Sequence, residues 1–193
     1  MLNNIKKYHV ILASNSPRRK ELLSGLDLDF EVRVQPGIDE SYPSELNVAD
    51  IPQYIATRKA EANRTGLHEN ELLLTADTVV VVDDQVLGKP ADGDDARRML
   101  RMISGRTHQV ITGVCIVTTQ RQRAFSVVTD VSFRELTDEE IDYYVKTYNP
   151  LDKAGAYGIQ EWIGYVGVTS LRGSYFNVMG LPVQRIFSEL QSF

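Results

Sequence analysis

Ser16-Pro17-Arg18-Arg19-Lys20 puts three cations directly behind a serine and a proline. Ser16 suits an N-cap and Pro17 the first helical position, so the cations fall in the first turn of a helix. There the free N–H groups and the macrodipole favour anions, and each cation costs from a few tenths to about 1 kcal/mol. A phosphate chain would offset that cost. It would accept hydrogen bonds from those N–H groups, from the Ser14 and Ser16 hydroxyls, and from the guanidinium forks of Arg18 and Arg19. A solvated surface helix whose Arg and Lys extend into water fits the pattern equally.

Asp77 interrupts the apolar run from Leu72 to Val82. Strand alternation puts it on one face with Thr75, Val79 and Val81, where a carboxylate is costly to desolvate without a metal or a set of donors. That suits a metal ligand or a general base, and equally an Asp that ends one strand and bonds to a turn. Asp39-Glu40, just past Pro36-Gly37, offers further hard oxygen donors, which alone are loop acids. Lys89 in Leu87-Gly88-Lys89-Pro90 invites comparison with a phosphate loop, but Asp83 stands where the first glycine is needed and Pro90 where Ser or Thr is needed. Lys59 lies among Arg58 and Glu61, which reads as a solvated helix face. His9, His68, His108 and Cys115 have no structural-zinc spacing, and Cys115 sits in an apolar run that favours a buried, inert thiol.

These residues need a frame. Val10 to Ala13 reads as a short buried strand before the helix that Ser16 opens and Gly25 closes. Phe30 to Val34 alternates as a half-buried strand, and Asp50 to Arg64 has helical spacing with Gly66 as its cap. Leu72 to Val82 is a strand that Asp83-Asp84-Gln85 turns back into Val86-Leu87. Asp92 or Asp94 opens a helix with the apolar face Ala96, Met99, Leu100 and Ile103. His108 to Thr118 and Phe125 to Phe133 form an antiparallel pair. Thr137-Asp138-Glu139-Glu140 is a capping box, and Asn149-Pro150 ends its helix. Leu151 to Gly180 reads as loop and short strands, and a last helix runs from about Leu181 to Leu190. The order predicts an α/β fold with a mixed sheet.

The chain has 193 residues, enough for one domain or for two lobes sharing a sheet, and a net charge of -5. That charge argues against a general nucleic-acid binder. No apolar run approaches a membrane span, and Val10 to Ala13 is too short for a signal-peptide core, so a cytoplasmic protein is expected.

Ala13 to Leu23, Ile38-Asp39-Glu40, Ala76 to Val80, Leu87-Gly88-Lys89-Pro90 and Ser104 to His108, in this order, resemble the motifs of the Maf family of nucleoside triphosphate pyrophosphatases. The likeness continues through Asp152 to Gln160 and Asn177 to Pro182 and covers nearly the whole chain as one domain. The resemblance implies a fold similar to inosine triphosphate pyrophosphatases: a long mixed sheet, two lobes and a central cleft, commonly as a homodimer. It implies hydrolysis of a nucleoside triphosphate to the monophosphate and pyrophosphate with a divalent cation, magnesium or manganese.

By the same resemblance Asp77 is the proton acceptor and a metal ligand, Glu40 a metal ligand or its close support, and Arg18, Arg19, Lys59 and Lys89 bind phosphates. Ala154-Gly155-Ala156-Tyr157-Gly158-Ile159-Gln160 matches the branch that prefers dTTP and UTP, in which Arg18, Thr78 and Gln160 read the base. Asp152 departs from the family, which often has Gly there. A nucleotide-sensing regulator of cell division and a 7-methyl-GTP hydrolase are the alternatives. A carboxylate facing phosphates argues against the first, and the Ala154 to Gln160 segment against the second.

Overall fold

The computed structural model describes residues 2–193. Along the chain run β1 (His9–Leu12), α1 (Pro17–Ser24), β2 (Phe30–Val32), α2 (Ile51–Arg64), β3 (Glu71–Val82), β4 (Gln85–Leu87), α3 (Gly93–Ile103), β5 (Thr107–Val117) and β6 (Gln122–Phe133). They are followed by α4 (Asp138–Tyr148), α5 (Trp162–Gly167), β7 (Val168–Arg172), α6 (Tyr175–Met179) and α7 (Val183–Leu190). Single 3-10 turns cover Val48–Asp50 and Ala154–Ala156.

The strands form one seven-stranded sheet in the order β2-β1-β3-β5-β6-β7, with β4 paired to β3. It is mixed. β1 runs parallel to both β2 and β3, while β4 returns antiparallel on β3 and β7 antiparallel on β6. Thr107 pairs by its hydroxyl with Ser132 and Gln109 by its amide with Asp130, so the partners of β5 and β6 descend in antiparallel order. The expected α/β fold with a mixed sheet is what forms.

Local chemistry explains most element ends. The Ser16 hydroxyl accepts from Arg19 N and Pro17 sits at the start of α1. Asp92 caps α3, and Thr137 with Glu140 closes a full capping box on α4, whose far end is Asn149 in the left-handed region. Asp83 and Asp84 both take positive φ, 48° and 60°, and form the two-residue turn, so Gln85 belongs to the strand.

The segment from Leu151 to Gly180 departs from expectation. Instead of loop and short strands it carries α5 and α6 around the single strand β7. Its glycines explain why: a Cβ at Gly164 would lie 1.8 Å from the Ile159 carbonyl oxygen, and one at Gly167 would lie 2.8 Å from the Phe133 ring. Glycine here permits close packing within short helices, although its usual signal is a loop.

The chain divides into two compact units. The first holds the chain up to Asp77, Thr112–Val127 and Gly180–Phe193; the second holds Thr78–Ile111 and Val128–Met179. Each has its own core. In the first, Ile11, Ala56, Ala60, Leu73, Cys115 and Val117 pack together. In the second, α3 and α4 bury Leu100, Ile103, Ile141 and Tyr144 against Val80 and Val131. Among the described residues no helix is long and apolar enough to cross a membrane.

Candidate functional site

Within the first unit, β1 and β3 run parallel with Leu12 opposite Leu74, and Ala13 N donates to the Leu74 carbonyl at 2.9 Å. The chain therefore leaves β1 beside the middle of β3, and Ser14 to Arg19 follows at once. Carboxyl ends of parallel strands are where such folds place ligands. Ser14 is buried, and its Oγ accepts from Ser16 N at 3.2 Å; Ser16 Oγ accepts from Arg19 N at 3.4 Å. Each hydroxyl keeps its own proton to donate.

Arg19 turns inward. Its Nη1 donates to the Ala76 carbonyl and its Nε to the Gly180 carbonyl, both at 2.8 Å. Burial lowers its pKa, opposed by the carboxylates of Asp77 and Glu40. At least part of the expected cost of a cation in this helix turn is thus offset by backbone carbonyls. Both acceptors are backbone carbonyls, which carry no residue-type signal, so neither was foreseeable. Arg18 and Lys20, its neighbours on α1, are half-buried.

Asp77 emerges where expected, on one face of β3 with the buried Thr75, Val79 and Val81. Alternation makes residues 75 and 77 face the same way, and both meet α2: Thr75 Oγ1 donates to the Ala56 carbonyl at 2.6 Å, and Lys59 Nζ donates to Asp77 Oδ1 at 2.9 Å. Positions 56 and 59 are one turn apart on α2, so the helix answers the strand residue for residue. A close approach sets this distance. A Cβ on Gly113 of β5 would stand 2.2 Å from Pro52 C and Gln53 N, so only glycine lets the start of α2 lie there.

Lys59 does not lie on a solvated face. Its side chain is only 14% exposed, and its ammonium reaches Glu40 Oε1 at 3.1 Å as well as Asp77. Asp39 is engaged elsewhere: it accepts from the Ser41 N–H at 2.9 Å and the Ser41 hydroxyl at 2.8 Å, bonds that lower its pKa. Of the loop acids, Glu40 is the one that faces Asp77 across the ammonium.

Two carboxylates drawn to one cation are a hard-oxygen donor set that fits a divalent metal. Magnesium in particular is commonly held by one or two carboxylates, with waters and substrate phosphates completing its shell. Among the described residues no group of three or more His, Cys, Asp or Glu gathers at one point. Glu40 and Asp77 are the two carboxylates that share the Lys59 ammonium.

Thr78, Lys89 and Gln160 belong to the second unit. Thr78 is half-buried on the same face of β3 as Val80, and Val80 packs against Gly155, whose Cβ position lies 2.9 Å from the Val80 side chain. Gly155 N donates to the Gly88 carbonyl at 3.0 Å, which ties the Ala154–Gln160 segment to the residue before the exposed Lys89. Gln160 is half-buried, and its Oε1 is a buried acceptor with no hydrogen-bond donor. A carbonyl oxygen left so costs about 1–3 kcal/mol.

The sequence reading missed an ionic network on the residues that flank the Ala154–Gln160 segment. The buried Lys153 pairs with Asp152 at 2.7 Å and Glu161 at 3.1 Å, and Glu161 also accepts from the Tyr144 hydroxyl. Tyr144 in turn accepts from Gly158 N at 3.0 Å. Burial, with Glu161 second, raises the Tyr144 pKa and keeps it a proton donor. A Lys153…Glu161 spacing across a glycine-rich stretch was the available signal. Asp152 is exposed and serves as a partner of Lys153.

The profile of the Maf-like protein family matches residues 9–193, and the chain belongs to that family. The dTTP/UTP pyrophosphatase of Phocaeicola vulgatus is 62% identical over 191 residues, 99% of each chain. That of Parabacteroides distasonis is 58% identical over the full length of both, and that of Bacteroides thetaiotaomicron 56% identical over 99% of each. Among solved structures, a HAM1 protein from Coxiella burnetii aligns over 96% of this chain and 100% of its own at 15% identity, with a TM-score of 0.47.

Proposed function

We propose that this chain is a nucleoside triphosphate pyrophosphatase that converts dTTP and UTP, and modified pyrimidine nucleotides of the same shape, to the monophosphate and pyrophosphate. Family membership and full-length relatives bearing the name dTTP/UTP pyrophosphatase support the reading. The observation that carries it is the convergence of Glu40 and Asp77 on Lys59, with Arg19 anchored to the residue before Asp77.

In this reading water attacks the α-phosphorus while Asp77 takes its proton. A new phosphorus–oxygen bond forms, the bond from the α-phosphorus to its bridging oxygen breaks, and pyrophosphate leaves. Negative charge builds on the phosphates during attack, and Arg18, Arg19, Lys59 and Lys89 neutralise it where they bind. Ser14 and Ser16 donate their hydroxyl protons to the same phosphates. A magnesium or manganese ion held by Glu40 and Asp77 would polarise phosphoryl oxygens and stabilise that charge.

Arg18, Thr78 and Gln160 read the base. Thymine and uracil carry an N3–H donor between two carbonyls, which suits the unpartnered Oε1 of Gln160. The protein would work as a homodimer in the cytoplasm, where it removes unwanted nucleotides from the pool.

The test is pyrophosphate release from a nucleotide panel with magnesium or manganese, comparing the wild type with Asp77→Asn. The expected outcome is turnover of dTTP and UTP, with kcat reduced about 10²–10⁴-fold in the variant. Turnover of no nucleotide, or full activity in the variant, would overturn the mechanism. A preference for 7-methyl-GTP would overturn the base assignment.

A further inference from the structure

The Lys59 ammonium lies 3.1 Å from Glu40 Oε1 and 2.9 Å from Asp77 Oδ1, the two oxygens proposed above to hold a divalent cation. We infer that Lys59 is a resident cation competing with the metal for this pair, so that metal is admitted only together with the triphosphate. The inference rests on Glu40 and Asp77 being the metal ligands, and extends it to the order in which the site fills.

The physical case starts from charge. An ammonium hydrogen-bonded to Asp77 and ion-paired with Glu40 neutralises both, and a divalent ion seated between the same oxygens would repel it at close range. One of the two has to leave. The Lys59 side chain is 14% exposed and Asp77 15%, while Glu40 is 56% exposed, so it is at Asp77 that an uncompensated charge is poorly hydrated and costly. Among the described residues the carboxylates paired with Lys59 are Glu40 and Asp77 themselves, so metal alone brings the displaced ammonium no anion in exchange. A triphosphate does: it brings anionic oxygens to which Lys59 can transfer its hydrogen bonds, and oxygen ligands that complete the metal shell.

The packing of α2 lets Lys59 change partners without moving the helix. Lys59 is on α2, which is held at two places in the turns before it. Gly113 admits the backbone at Pro52 and Gln53, and Thr75 holds the Ala56 carbonyl. The helix stays in place while four rotatable bonds of the lysine stem carry Nζ from carboxylate to phosphate. Until then Asp77 is engaged by the ammonium as well, so the proton acceptor is freed as the substrate arrives.

The test is binding of manganese, read by electron paramagnetic resonance on protein without nucleotide, in the wild type, Lys59→Met and Lys59→Gln. The wild type should bind manganese weakly. Either variant should bind it at least about 10-fold more tightly, because the carboxylates lose their resident cation. Inorganic tripolyphosphate should tighten manganese binding in the wild type and much less in the variants, allowance being made for complexation in solution. Micromolar binding by the wild type without tripolyphosphate would overturn the inference, and this arm does not depend on the variants folding. Equal or weaker binding by folded variants would overturn it too. So would tight binding that persists in Lys59→Met/Asp77→Asn, because the metal would then lie elsewhere. Absence of nucleotide turnover would count against the proposed activity alone, since the binding measurement needs none.

Discussion

Arg19 is joined to Asp77 through a single peptide group: its Nη1 donates to the carbonyl of Ala76, the residue immediately before, while its Nε holds the carbonyl of Gly180. A guanidinium spans two acceptors in one rigid plane, and an ammonium cannot reproduce that geometry. Arg19→Lys should therefore lose one or both bonds, at a cost of about 1.5–3 kcal/mol. Thermal unfolding would show the loss, and kcat/KM for dTTP should fall with it although the charge is kept. Unchanged unfolding would mean that the two carbonyls do not depend on Arg19.

Gly113 is tested by its smallest replacement. Gly113→Ala places a methyl group 2.2 Å from the backbone of Pro52 and Gln53, and backbone cannot swing aside as a side chain can. The expected destabilisation is about 3 kcal/mol, the upper end of what overpacking costs, measured by denaturant unfolding. If α2 shifts to make room, Lys59 and Asp77 separate, and activity should fall further than stability does.

How far the sequence foretold this is clearest residue by residue. Ser16, Thr137 and the Asp83-Asp84 turn act through neighbours two or three positions away, so their effects were legible. Asp77 was legible as an anomaly in an apolar strand. Lys59 was misleading, because the helical pattern around it places Arg58 and Glu61 alongside but cannot show that β3 lies close enough to recruit it. The partners of Arg19 are carbonyls 57 and 161 positions away, and every residue has a carbonyl. The glycines of α5 misled for a related reason, since Gly164 and Gly167 are required by what packs on them.

His108 gives the stability a pH dependence. It is buried against Phe133 and Tyr157, its Nε2 lies 2.7 Å from the Tyr157 hydroxyl, and burial lowers its pKa from 6.5 to about 4. Below the unfolded value the unfolded chain takes up a proton that the folded chain refuses. The stability this imidazole contributes is therefore complete above about pH 6.5, falls as pH drops, and is lost by about pH 4, a change of order 3 kcal/mol. Urea midpoints between about pH 7 and about pH 4.5 should fall more steeply for the wild type than for His108→Gln. Parallel slopes would show that other groups dominate.

Gln160 separates recognition from stability. Its Oε1 has no donor among the described residues, so Gln160→Leu removes a desolvated oxygen and should leave the melting temperature unchanged or raise it. If the amide reads the pyrimidine edge, kcat/KM for dTTP should fall about 10–100-fold in the same variant, the worth of one well-placed hydrogen-bonding pair. Loss of both properties together would mark Gln160 as structural.

Cys115 is the only thiol in the chain, fully enclosed among Ile11, Ala56 and Leu73, and burial pushes its pKa up to about 11. At about pH 7.5 roughly one molecule in three thousand carries the reactive thiolate. To a maleimide the wild-type protein is effectively cysteine-free. Cysteines introduced at the exposed Glu69 in the first unit and Glu139 in the second would then take a fluorescent donor and acceptor with no background. Energy transfer between them would follow, in solution and in real time, any movement of the two units as a nucleotide is bound and cleaved.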